Sequence, residues 1–207
     1  MRRNAIVTVA VVIAVVALGS QIAIPAYVSS KVEDRLTANG GSAHVEVRAT
    51  PAVRLIDGGG DRIKIRGKDL RFALPTQNAD VFDRLDGFDE VDAELTAVRV
   101  DPFRIERFEL KRGEGEGTYR MVMKASSTPR ELTQYAADRI GGKFAGFMGR
   151  FASGLLPWDD NSVPVTIDAQ VRSDGGRATV VAASGDVGGL PVDPVATTLA
   201  GAVADRL

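Results

Sequence analysis

Acid–base and nucleophilic chemistry has few residues to work with in this chain. His44 is its single histidine, and there are no cysteines. A Ser-His-Asp relay would have to run through His44, which sits on the polar face of an alternating stretch. No Gly-x-Ser-x-Gly elbow occurs, because Gly149-Arg-Phe-Ala-Ser-Gly154 has the wrong spacing. The absence of thiols excludes thiolate catalysis, zinc–thiolate sites and disulfides. Gly141-Gly-Lys-Phe-Ala-Gly146 lacks the Lys-Ser/Thr ending of a phosphate-cradling loop, and no strand precedes it. The sequence therefore assigns no catalytic residue and no cofactor.

Carboxylates at alternate positions, Glu90, Asp92 and Glu94, resemble the start of a cation site. A hard cation needs six or more converging oxygens, and three on one strand do not supply them. Arg62, Lys64 and Arg66 alternate in the same way on the preceding expected strand. Opposite charges on adjacent strands contribute about 0.2–1 kcal/mol per pair and help to fix register. A solvent-facing charge ladder is the better expectation, and no metal ligand is assigned.

The apolar residues carry more information. Phe144, Phe147, Met148, Phe151, Leu155 and Trp158 crowd one expected helix, and Tyr119, Met121 and Met123 form a sulfur-rich strand face. Methionine adapts to irregular surfaces, including those of ligands. Two readings stay open on pattern alone: an ordinary hydrophobic core, or a long apolar groove holding an acyl chain. The groove would be lined by Phe72, Phe103, Phe108, Tyr119, Met121, Met123, Phe144, Phe147, Met148 and Phe151. A phosphate head would stay at its mouth, near Lys143 and Arg150. Ten methylenes kept from water are worth about 8 kcal/mol before ordering costs.

Strands must position most of these side chains. Ala43 to Ala49 alternates apolar and polar residues, as do Arg62 to Arg66 and Tyr119 to Met123, while the inward rows Val91, Ala93, Leu95, Ala97 and Phe103, Ile105 switch phase to Val98, Val100 and to Phe108, Leu110. A late hairpin joins the Val163–Val171 row to Ala178 and Val180 across Ser173-Asp-Gly-Gly176. Thr128-Pro-Arg-Glu131 forms a capping box that opens a long helix running to about Leu156. Asp193-Pro194 opens a final helix. Long helix and bulged strands together predict an α+β architecture, with the helix packed against a curved antiparallel sheet.

The N-terminal part sets the compartment. Residues 4–30 carry no charge, and Arg2-Arg3 precede them. About 20 apolar residues cross the hydrocarbon layer, and basic residues before a span stay in the cytoplasm. Residues 1–30 are thus expected to be a membrane-spanning anchor, in contact with the cytoplasmic membrane through residues 5–27. A secretory signal cleaved after Ala17-Leu-Gly19 is the alternative. Either way, residues 31–207 form a single exported domain on the outer, periplasmic side. That domain keeps 24 of the 26 basic residues against all 27 acidic ones, a net charge of −3. Such a balance argues against nucleic acid as a partner. Ile24, Val28, Val32 and Leu36 extend the anchor into an amphipathic helix that ends near Asn39-Gly40-Gly41.

The run from Val45 to Ile65, the Val91-Asp-Ala-Glu-Leu-Thr-Ala-Val-Arg-Val-Asp-Pro102 segment and the late Gly189-Leu-Pro191 together carry a resemblance. The chain resembles the LmeA-like phospholipid-binding proteins of actinobacterial envelopes, over roughly Ile22 to Leu207. That resemblance implies a tubular lipid-binding fold with an apolar channel and a phospholipid ligand. It also implies a link to envelope enzymes that assemble mannosylated glycolipids. The expectation is a non-enzymatic envelope lipid-binding protein. The competing expectation is a membrane-tethered scaffold that recruits an envelope enzyme and holds no lipid.

Overall fold

The computed structural model describes residues 21–72, 81–100, 103–128, 162–188 and 190–191. Alternation of apolar and polar side chains governs nearly all of them. It produces eight strands: β1 (Ser42–Arg48), β2 (Gly60–Lys68), β3 (Phe88–Val100), β4 (Phe103–Arg112), β5 (Thr118–Ser127), β6 (Val163–Asp174), β7 (Arg177–Val187) and β8 (Leu190–Pro191). They form one sheet in chain order from β1 to β8. Helix α1 covers residues 21–37, a 3-10 turn covers Ala52–Leu55, and α2 covers Val81–Asp86.

The expected architecture is corrected here. The sheet is mixed, not antiparallel throughout: β2 and β3 run parallel, with Arg62 opposite Glu90 and Ile65 opposite Ala93. The physical reason lies in residues 69–87, which are too long for a hairpin and long enough for the crossover that a parallel pair requires. The described part is mostly β, and neither α1 nor α2 corresponds to the long helix expected on the sheet. No helix of the described residues is long and apolar enough to cross a membrane. Residues 129–156 of the expected long helix, residues 5–20 of the expected span and the final helix from Asp193 lie outside the described residues.

Phase changes along the strands bend the sheet. The inward row of β3 passes from Val91 and Ala93 to Val98, and Ala97 between them adopts φ of 53°. Facing it on β4, the register against β5 slips between Ile105 and Arg107. A second slip, between Gln170 and Val171, makes Val181 of β7 the extra residue and leaves it exposed. Bulges of this kind bend a strand and increase its twist. Gly175 and Gly176 both have positive φ and close the β6–β7 hairpin as a two-residue turn.

One face of the sheet forms the core. Val45, Val47, Ile63, Val91, Ala93, Phe108, Leu110, Tyr119, Met121, Met123, Val165, Ile167, Ala169 and Val171 are all buried there. The period-four stripe of α1, Ile24, Val28, Val32 and Leu36, packs against its border. Phe82 and Leu85 of α2 join the same core. The helix is tied to strand β1, whose Val45 N–H donates to Glu33 Oε1 at 2.7 Å. Gly87 permits a close approach of two loops, since a Cβ there would lie 2.2 Å from the Gly58 carbonyl oxygen.

Candidate functional site

Strand register assembles the expected lining residues into rows. Leu95, Phe108, Met123 and Ile167 follow one another across β3 to β6, and Ala93, Leu110, Met121 and Ala169 form the adjacent row. Large flexible side chains thus occupy β4 and β5, and alanines flank them in the Met121 row. Tyr119 and Met121 have no exposed surface, and Met123 is 3% exposed. Phe108 is buried beside them, and Phe103 is partly buried against the same core. Phe72 stands apart, beyond the end of β2, where its N–H donates to the Arg99 carbonyl at 3.0 Å. Phe144, Phe147, Met148 and Phe151, with the expected head-group residues Lys143 and Arg150, lie outside the described residues.

The opposite face is charged, and many of its charges are paired. Arg62 donates from Nε and Nη2 to the two carboxylate oxygens of Glu90, at 2.7 and 2.6 Å. Arg66 donates to Asp92 Oδ2 at 2.6 Å, and its Nε lies 3.6 Å from Glu94. Arg107 links Glu94 and Glu109, at 3.0 and 2.5 Å. Arg120 holds Asp168 through two bonds, of 3.2 and 2.6 Å. Arg62 lowers the pKa of Glu90, and Arg66 lowers that of Asp92, in both cases chiefly through the side-chain hydrogen bond. The acidic row therefore faces guanidinium groups, as the alternation of β2 and β3 indicated. Among the described residues, no group of three or more His, Asp or Glu is placed to hold a metal ion.

No family model, curated protein or solved structure matches this chain. Its functional reading consequently rests on the residues and their arrangement.

His44 projects from the polar face, 71% exposed, with Nδ1 3.3 Å from Glu33 and Nε2 3.6 Å from Glu46. An open cleft of about 320 Å³ lies beside it, bounded by Arg66, Lys68, Glu94 and Thr96. None of the residues expected to line an acyl-chain groove borders this cleft.

One cluster was not visible in the sequence. The Tyr119 hydroxyl donates to Asp86 Oδ1 at 2.7 Å, and the Ser173 hydroxyl donates to Asp86 Oδ2 at 2.5 Å. Arg112 donates to the carbonyls of Leu85, Asp86 and Phe88, at 3.2, 3.2 and 2.5 Å. Its guanidinium carbon lies 5.5 Å from the centre of the Tyr119 ring, within cation–π range. Phe82 packs against the same ring in an edge-to-face arrangement, with centroids 5.2 Å apart and planes inclined at 70°. Desolvation, followed by the hydrogen bond to Asp86, pushes the Tyr119 phenol well above its ordinary value. The knot binds α2 and its loop to β4, β5 and β6 at one end of the apolar face. The only sequence signal was a tyrosine on an otherwise apolar strand face.

Proposed function

We propose that this chain is an envelope lipid-binding protein that holds a phospholipid acyl chain against the apolar face of its sheet. The observation that carries the proposal is the two-faced character of that sheet. Most of its large apolar side chains point one way, Val122 and Val181 being exceptions, and its other face carries ion pairs. Phe108, Met121 and Met123 sit at the middle of the apolar face, where an adaptable lining favours an irregular hydrocarbon ligand. The resemblance to LmeA-like proteins points the same way. Residues 5–20 would tether the domain to the cytoplasmic membrane, with the sheet on the outer side; residues 21–27, expected in the span, belong instead to α1, whose Ile24 packs against the core. The knot around Asp86 would hold one end of the face rigid while the methionines adapt.

The full chain, incubated with a phospholipid bearing a photoactivatable acyl terminus, tests the site. Adducts on β4 and β5, at Phe108, Met121 or Met123, are expected. Adducts confined to residues 5–27 would remove the face from consideration.

Complete burial of Tyr119 and Met121 favours a second reading. A scaffold with a dry core would recruit an envelope enzyme through its surface and take no lipid. It expects no adduct on the sheet at any lipid concentration.

A further inference from the structure

We infer that the corner of the domain formed by the start of α1 and the 3-10 turn docks into the interfacial layer of a phospholipid bilayer. Two hydrogen bonds fix α1 on the domain. Gln21 Oε1 accepts from the Ala52 N–H at 3.0 Å, and Glu33 Oε1 accepts from the Val45 N–H. Since Gln21 meets Ala52 and residue 37 leads by way of Gly40 into β1, the helix runs antiparallel to that strand. The point where the uncharged N-terminal sequence enters the domain is therefore held against the 3-10 turn.

That corner carries exposed apolar surface. Ile22 is 76% exposed, Val53 53% and Ile56 69%. They are three of the five large exposed hydrophobics among the described residues, so the surface is clustered. Val53 directly follows the residue that Gln21 holds. Val53 and Ile56 lie three residues apart, and side chains at that spacing eclipse on a 3-10 helix. Tyr27, 67% exposed, stands on α1 about 8 Å further along its axis, at a depth suited to the aromatic belt of a membrane surface. The first charged residue of the helix is Lys31.

The occupant is argued from charge as well as hydropathy. The cation of the turn, Arg54, is held by Asp61 at 2.7 Å and reaches Asp89 at 3.6 Å, so it is not offered to anionic lipid. Asp57 adds a negative charge to the same turn. Docking is apolar in origin, favours zwitterionic lipid and changes little with salt. It rests on the tethered reading above, since residues 4–20 bring the corner to the bilayer. Docking would set the sheet at one angle to the membrane and keep its apolar face beside the source of lipid.

The chain has no cysteine, so single substitutions can carry a probe. Full-length Val53→Cys, Ile56→Cys, Asn39→Cys and Ala10→Cys chains would each be labelled with an environment-sensitive fluorophore. They would then be reconstituted into phosphatidylcholine vesicles containing nitroxide lipid labelled either near the headgroup, which reads positions 53, 56 and 39, or at the acyl terminus, which reads position 10 near the bilayer centre. Residue 39 lies beyond the far end of α1, about 26 Å from residue 21. Probes at 53 and 56 should be quenched several-fold more than the probe at 39. Adding Gln21→Ala should reduce quenching at 53 and leave that at 10 unchanged. Equal quenching at 53, 56 and 39, with strong quenching at 10, would overturn the docking and leave the tether intact. No quenching at 10 would overturn the tether and the docking together. Lipid retention by the same chains, measured separately by mass, reports on the acyl-binding reading alone.

Discussion

The Tyr119 hydroxyl and the Asp86 carboxylate, 33 residues apart in sequence, are joined by a 2.7 Å hydrogen bond at the end of the apolar face. The contact anchors the C-terminal end of α2 to strand β5. Asp86 also receives Ser173 from β6, and Arg112 of β4 caps the carbonyls around it. A crossover that delivers a parallel strand must be held down somewhere, and this is where.

Removing the hydroxyl with Tyr119→Phe should destabilise the domain by about 1–3 kcal/mol, because it strips one partner from a partly buried carboxylate. Ser173→Ala should cost about as much. Chemical denaturation of each variant and of the double variant checks this. The double variant should lose less than the sum, as both bonds serve one carboxylate.

The raised Tyr119 phenol has a pH consequence. A group whose pKa is higher in the folded state contributes stability that is fully present below the unfolded value, here 10.0, and lost as pH rises above it. One of the three tyrosines should accordingly resist ionisation in an ultraviolet titration until the domain unfolds in alkali. Three tyrosines ionising together in folded protein would contradict the burial described for Tyr119.

The ion-pair face gives the opposite sign. Glu90 and Asp92 are held below the ordinary carboxyl range, so their contribution is present above the unfolded values of 4.5 and 3.8. It is lost as pH falls through the depressed folded values. Arg66→Ala should cost about 0.2–1 kcal/mol at neutral pH, as expected of a cross-strand pair. That difference from wild type should shrink in acid. Denaturation curves at neutral and acidic pH compare the two directly.

Much of this lattice was legible in the sequence. Alternate charges at 62, 64, 66 and at 90, 92, 94 implied neighbouring strands, and the register places Arg62 opposite Glu90. Period two also identified the buried rows of β1, β5 and β6, while period four identified the stripe of α1. Alternation alone, however, does not reveal strand direction. Residues in β2 and β3 alternate identically whether the strands are parallel or antiparallel, so only the length of the 69–87 connection carried that information. The Asp86 knot was hidden for a related reason. Its members come from α2, β4, β5 and β6, and long-range polar convergence leaves no local pattern.

Close loop packing supplies a further expectation. Gly87→Ala would place a Cβ 2.2 Å from the Gly58 oxygen, and Gly176→Ala would place one 2.6 Å from the Asp83 Cβ at a φ of 82°. Backbone must move in the first case. Each should destabilise by about 1–3 kcal/mol, in the range of overpacking. Gly58→Ala meets no atom within 4 Å, so its cost comes only from a φ of 80° and should be smaller. Thermal melts of the three variants rank them.

The edge of β1 gives another. Glu33→Gln keeps an oxygen that can accept from the Val45 N–H, whereas Glu33→Ala removes the acceptor. The alanine variant should lose about 0.5–1.5 kcal/mol and expose that amide to exchange. Hydrogen exchange at Val45 should rank wild type and Gln below Ala.

The central claim, that a phospholipid occupies the apolar face, is tested most directly by native mass spectrometry of the full chain released from its membrane under mild conditions. The account expects a population heavier than the polypeptide by one phospholipid, diminished when bulky residues fill the face, as in Met123→Trp, while the fold persists. A folded wild-type chain that carries no lipid, even after incubation with phospholipid vesicles, would contradict it.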